Sequence, residues 1–271
     1  MRRKVFYISD GTGITVETLG HSILSQFESV EFEQVTIPYV DTPEAAQDAL
    51  AQINAAAATE PDRPIVFSTL VGYELRSILS PCNALYLELF SFLGQIKREL
   101  GMEPSRDIGK SHGISDSHQY SDRIEAVHFA LDNDDGARTH HYDRADIILV
   151  GVSRSGKTPT CLYLALQFGV HAANYPITEE DLDKYGLPKA LKPHKSKLFG
   201  LTIDPDRLLE IRTGRKANSR YASMKQCVRE VEEVEELYLR EGIPYLDSTK
   251  LSIEEISTHI LVEAGLKRRL L

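Results

Sequence analysis

The sequence predicts an α/β protein in two parts: an N-terminal parallel-sheet α/β unit followed by a P-loop kinase-like α/β domain. Three observations carry this reading. Strand-like and helix-like segments alternate along the chain, the pattern that produces parallel sheets covered by helices. The pattern fails once, between Gly101 and Ser121, where glycine, serine and histidine dominate, including Lys110-Ser111-His112-Gly113. That break reads as a connection, and the predicted domains are 1–121 and 122–271. Finally, Gly151-Val152-Ser153-Arg154-Ser155-Gly156-Lys157-Thr158 matches G-x-x-x-x-G-K-[ST], the phosphate-binding loop pattern.

The first part opens with Val5-Phe6-Tyr7-Ile8 as a strand, followed by the tight loop Ser9-Asp10-Gly11-Thr12-Gly13. Residues 14–27 read as a helix with Ile14, Leu19, Ile23, Leu24 and Phe27 as its core face. Val35, Ile37 and Tyr39 alternate as a second strand. Asp41-Thr42-Pro43-Glu44 carries helix-start signals: a capping residue, a proline and an early acid. Pro64 to Ser68 is a third strand, and 72–79 and 83–100 read as helices.

The second part begins with a helix over 122–131, and Asp132-Asn133-Asp134-Asp135-Gly136 then reads as a polar turn. It is not a calcium loop, because an EF-hand places its glycine sixth and here it is fifth. Ala145 to Val150 is an almost continuous apolar run, as expected of a strand buried on both faces. The phosphate-binding loop follows, and after it Pro159 to Phe168 is a helix closed by Gly169. Val170 to Tyr175 and Lys197 to Asp204 are further strands, with a short acidic helix from Thr178 to Tyr185 between them. Helices over 207–212 and 221–240, a late strand from Ile243 and a helix opening on the Ser252/Glu255 capping box complete the chain.

Composition narrows the class. The chain has 271 residues, 42% apolar and 26% charged, which is ordinary for a globular protein. No apolar run approaches membrane-spanning length. The run Val5 to Ile8 behind Arg2-Arg3-Lys4 stops too soon for a secretion signal. Cys82, Cys161 and Cys227 are odd in number and widely spaced, so free thiols and a cytoplasmic location are expected. A net charge of −9 argues against a nucleic-acid binder. The charge is uneven: residues 1–139 hold 11 Lys/Arg against 21 Asp/Glu, and 140–271 hold 20 against 19. Within 184–229 there are 12 basic and 3 acidic side chains, downstream of the loop where polyphosphate needs counter-charge.

The candidate site follows from this chemistry. Glycines let backbone N–H groups converge on an anion, and the helix N-terminus adds partial positive charge. The expected nucleotide-binding residues are Gly151, Val152, Ser153, Arg154, Ser155, Gly156, Lys157 and Thr158, with Lys157 on the terminal phosphates and Thr158 on Mg²⁺. Asp204 ends a strand, as a Walker-B aspartate does, and is the second expected metal ligand, although Asp204-Pro205-Asp206 also reads as a helix cap. Arg212, Arg215 and Arg220 read as arginines on a Gly/Asn loop that could close over a transferring phosphoryl group. The expected catalytic set is Lys157, Asp204, Arg215 and Arg220. Asp10, Asp204 and Asp206 stand open as general base.

Six separated blocks then carry a resemblance across nearly the whole chain: Phe6 to Thr15, Asp134-Asp135-Gly136, Gly151 to Thr160, Ala172 to Pro176, Leu198 to Pro205 and Asn218 to Tyr221. In order, they resemble the phosphoenolpyruvate synthase regulatory proteins, kin of the pyruvate, phosphate dikinase regulatory proteins. The resemblance implies a bifunctional enzyme. An ADP-dependent serine/threonine kinase would inactivate the synthase by phosphorylating a threonine. The same protein would remove that phosphate with inorganic phosphate, releasing pyrophosphate. Implied cofactors are ADP, inorganic phosphate and Mg²⁺; the implied partner is phosphoenolpyruvate synthase, with a homodimer left open. The alternatives are a regulator of pyruvate, phosphate dikinase by the same chemistry, or a small-metabolite kinase. The chain has neither H-R-D nor D-F-G, so it is not a eukaryotic-type protein kinase.

Overall fold

The computed structural model describes residues 1–103, 117–182, 186–216 and 219–266. The Lys110–Gly113 stretch and the end of the acidic helix at Tyr185 lie outside them. The fold is α/β, and its contacts divide the chain into two units, Met1–Gly113 and Ile114–Leu271.

In the first unit, β1 (Arg2–Ile8), β2 (Glu31–Ile37), β3 (Ile65–Ser68) and β4 (Leu85–Glu88) form a parallel sheet ordered β2-β1-β3-β4. The central strand is buried from Val5 to Ile8 because helices cover both faces. Phe6, Ile8 and Val66 face one core, shared with Ala46, Ala49 and Ile53 of α2 (Pro43–Thr59) and Leu75 and Leu79 of α3 (Tyr73–Leu79). Val5, Tyr7 and Phe67 face the other, under α1 (Ile14–Leu24). Thr42 caps α2 by accepting from the Ala45 N–H at 3.2 Å, and Pro43 occupies the first helical turn, as the sequence signals imply.

Two expectations fail here. The buried face of α1 is Val16, Gly20 and Leu24, whereas Ile14, Leu19, Ile23 and Phe27 are exposed. Gly20 decides the orientation. A Cβ there would lie 2.3 Å from Tyr7 Cε1, so the glycine lets the helix settle closely on β1. The predicted helix over 83–100 is instead the edge strand β4 followed by α4 (Leu93–Leu100). Pairing with β3 wins over helical periodicity: β4 is flanked by Leu85 N–H to Pro64 O at 2.8 Å and Leu89 N–H to Ser68 O at 2.9 Å.

In the second unit, β5 (Ile147–Gly151), β6 (Ala172–Pro176), β7 (Leu198–Thr202) and β8 (Tyr245–Asp247) form a parallel sheet ordered β6-β5-β7-β8. The relative strand order repeats that of the first unit. Ile147 and Leu149 point to a core with Ala126 and Ala130 of α5 (Ser117–Asp132), Cys161 and Leu164 of α6 (Lys157–Phe168), and Ile256 and Ile260 of α10 (Ile253–Glu263). Ile148 and Val150 point the other way, toward α8 (Pro205–Arg215) and α9 (Met224–Glu241). The short helix α7 spans Glu179–Leu182. The capping box holds: Ser252 Oγ accepts from Glu255 N–H at 3.2 Å, and Glu255 accepts from Ser252 N–H at 2.8 Å. The three cysteines are buried free thiols. No helix among the described residues is long and apolar enough to cross a membrane.

Candidate active site

In the second sheet the chain leaves β5 for β6 on one side and takes β7 on the other, so the strand order reverses beside β5. Ligands of open α/β sheets bind at such a switch point, beyond the carboxyl ends of the strands. The Gly151–Thr158 loop occupies that place, between β5 and α6.

Its residues are shaped by close approach and by backbone conformation. A Cβ on Gly151 would sit 2.4 Å from Leu201 O, so no side chain fits. Gly156 has φ +89° and opens α6. Arg154 takes φ +81° without being glycine, and such strain gathers at functional loops. Surrounding groups hold the loop. Tyr238 Oη donates to either Val150 O (2.9 Å) or Leu201 O (3.2 Å), and Ser248 Oγ lies 3.2 Å from Ser155 O. Ser155 Oγ is buried with no hydrogen-bond partner among the described residues.

Lys157 is 4% exposed and its Nζ donates to Val152 O at 2.8 Å. Burial lowers its pKa from 10.5 to about 8, opposed first by the charge of Asp135 and also by that of Asp134. The Thr158 hydroxyl donates to Asp134 Oδ1 at 2.7 Å. Asp134 and Asp135 lie in the turn after α5, and Asn174 of β6 fixes that turn. The Asn174 amide donates to Asp134 Oδ1, while Asn174 Oδ1 accepts from the Asp135 N–H at 2.9 Å. Asn174 is itself fully buried, with Tyr142 Oη donating to its carbonyl at 2.9 Å.

The other predicted residues lie outside this network of contacts. Asp204 is exposed and caps α8, its Oδ1 accepting from Asp206 N–H at 2.9 Å and Arg207 N–H at 3.1 Å. The expected arginine loop is largely helix. Arg212 lies inside α8, completely buried, and pairs with Glu230 at 2.6 Å. It also donates to Ser153 O at 3.1 Å and stacks 4.2 Å over the Tyr221 ring, so it braces the loop from beneath. Arg215 ends α8, exposed to solvent. Arg220 is exposed and paired with Glu179 at 2.8 Å. Asp10, the remaining base candidate outside this unit, is buried and accepts from the Val71 N–H at 2.8 Å.

Asp134, Asn174 and Tyr221 are the contacts that motif reading missed. Asp134 is separated from Thr158 by a whole strand, and neither local spacing nor periodicity joins them. The signal that held it was the resemblance, in which Asp134-Asp135-Gly136 and Ala172 to Pro176 are two of the six blocks.

Fold and site together define a class: α/β proteins in which a glycine-bearing loop joins an inner strand of a parallel sheet to the helix that follows it. More particularly, the chain belongs to the kinase/pyrophosphorylase family, whose family model matches residues 5–261. That membership makes it a phosphotransferase. A protein of Alcanivorax borkumensis is 62% identical over 271 residues, covering 100% of both chains. One from Marinobacter nauticus is 57% identical over 99% of both, and one from Pseudomonas aeruginosa is 58% identical over 99% of this chain and 98% of its own. All three bear the provisional name phosphoenolpyruvate synthase regulatory protein.

Proposed function

We propose that this protein regulates phosphoenolpyruvate synthase by reversible phosphorylation of a threonine, using ADP as donor and inorganic phosphate for removal. The observation that carries the reading is the end-to-end similarity to proteins bearing that name, at 57–62% identity. The Gly151–Thr158 loop and buried Lys157 supply groups suited to such chemistry.

In the inactivating direction the threonine oxygen bonds to the β-phosphorus of ADP. The bond from that phosphorus to the α–β bridging oxygen breaks, AMP leaves, and the threonine proton passes to a base. In the reverse direction an oxygen of inorganic phosphate bonds to the phosphothreonine phosphorus. The threonine oxygen departs and takes up a proton, and pyrophosphate is the product. Lys157 would hold the oxygens of the moving phosphoryl in both directions. The loop N–H groups would cradle its neighbour, which is the α-phosphate in one direction and inorganic phosphate in the other. Mg²⁺ would neutralise phosphate charge when bound, with Thr158 as a ligand. A single cradle thus serves both reactions, and Lys157→Ala abolishes both.

The test is label transfer to phosphoenolpyruvate synthase phosphorylated on its catalytic histidine, using β-labelled ADP and, separately, γ-labelled ATP. Label on threonine from ADP alone is expected. Transfer from ATP alone, or from neither donor, refutes the reading. Pyruvate, phosphate dikinase as a parallel acceptor separates the two targets.

A further inference from the structure

We propose that Asp134, not Asp204, is the carboxylate that joins Thr158 in binding the divalent cation. This deepens the phosphotransfer reading and rests on it.

Phosphate-binding loops of this pattern place the Ser/Thr hydroxyl on Mg²⁺ and draw a partner carboxylate from elsewhere in the fold. The partner is expected at the end of a strand, which pointed to Asp204. The structure instead sets Asp134 Oδ1 at 2.7 Å from Thr158 Oγ1. Neighbouring ligands in a Mg²⁺ octahedron with bonds of 2.0–2.1 Å are about 2.9 Å apart. The two oxygens therefore stand near the separation at which both can ligate one ion, with a small outward shift. Both are hard donors, and Mg²⁺ takes one or two carboxylates and leaves its other positions to phosphate and water.

The turn is held for this purpose. Asn174, fully buried on β6, binds the Asp134 carboxylate through its amide and the Asp135 N–H through its oxygen. The Asn174 N–H also reaches Asn133 O at 3.3 Å. Asp135 and Gly136 follow with φ +48° and +73°, a left-handed pair that turns the chain sharply away. Asp134 Oδ2 accepts no hydrogen bond from the described residues, so beside the ligating Oδ1 it is left for a water of the ion's shell. Asp204 is exposed, its Oδ1 accepts from two N–H groups of α8, its own N–H donates to Thr249 Oγ1 at 2.8 Å, and among the described residues no hydrogen bond joins it to Thr158. Capping accounts for its position.

The test is calorimetric ADP binding to the full chain in Mg²⁺ and in EDTA. Mn²⁺ paramagnetic resonance in the presence of pyrophosphate provides a second readout independent of activity. Wild type binds ADP more tightly with Mg²⁺. Asp134→Asn keeps the shape of the turn and the EDTA affinity, and weakens Mn²⁺ binding by at least about tenfold. Thr158→Val, of similar volume, gives the same loss, while Asp204→Asn keeps the metal enhancement. Retained enhancement in Asp134→Asn, or its loss in Asp204→Asn, overturns the proposal. If wild type binds no ADP in either condition, the donor reading fails. The Mn²⁺–pyrophosphate measurement then still decides on Asp134: equal binding by wild type and Asp134→Asn overturns it.

Discussion

Replacing Lys157 with methionine should remove a pH-dependent part of the empty protein's stability. Lys157 is 4% exposed, and burial brings its pKa from 10.5 to about 8. That difference corresponds to about 3 kcal/mol against the charged, folded state. The sign follows from proton binding. Below pH 8 the lysine is charged in both folded and unfolded chains, and the folded state bears the whole cost. Between about 8 and 10.5 the unfolded chain binds the extra proton, so stability rises with pH; above that both are neutral. Methionine has no such titration. Urea unfolding of the two proteins from neutral pH to about 10.5 therefore shows wild type gaining about 3 kcal/mol relative to Lys157→Met. Other titrating groups cancel in the difference. Parallel stability profiles would refute the reasoning, because the ammonium would then carry no desolvation cost. The same argument applies to ligand. Phosphate oxygens restore the charged form, so ADP binding above about pH 8 takes up a proton and weakens as pH rises. Calorimetry in buffers of different ionisation enthalpy measures that uptake.

Two further substitutions test the scaffold. Arg212→Met leaves Glu230 without its buried cation and should cost about 3–5 kcal/mol, while adding Glu230→Leu should recover much of it; denaturant unfolding of both variants checks the cycle. In α1, Gly20→Ala should destabilise by about 1–3 kcal/mol, opposite to the usual gain of alanine over glycine in a helix, because the new methyl meets Tyr7. Thermal unfolding followed by tyrosine circular dichroism measures the effect.

How much of this was legible beforehand depended on whether the determining contact was local. The run Ile147–Val150 is apolar on every residue because both faces are covered, and it read correctly as a buried strand. The Thr42-Pro43 and Ser252/Glu255 caps are formed within three or four residues, and both appear as read. The place of Gly151 to Thr158, between a strand and a helix, was legible for the same reason. Failures came where a distant partner decides. Leu85–Glu88 becomes strand because β3 pairs with it, and α1 turns its larger apolar residues outward because Tyr7 fits only over Gly20. Arg212 reads as one of three arginines on a Gly/Asn loop, yet it lies in α8, where Glu230 and the Ser153 carbonyl draw it wholly inside. Asp134 meets Thr158 only once β5 and β6 lie side by side.

The repeated strand order also governs how the chain can be made. In each unit the first strand synthesised ends up inside the sheet, the second joins one edge, the third the opposite edge, and the fourth extends that side. No strand has to be inserted between two that are already paired. As the chain leaves the ribosome, domains fold from the N-terminus onward, and here every partial product is a narrower version of the finished sheet. The strand that leads into the Gly151–Thr158 loop is flanked on both edges once β7 has emerged, before β8 exists.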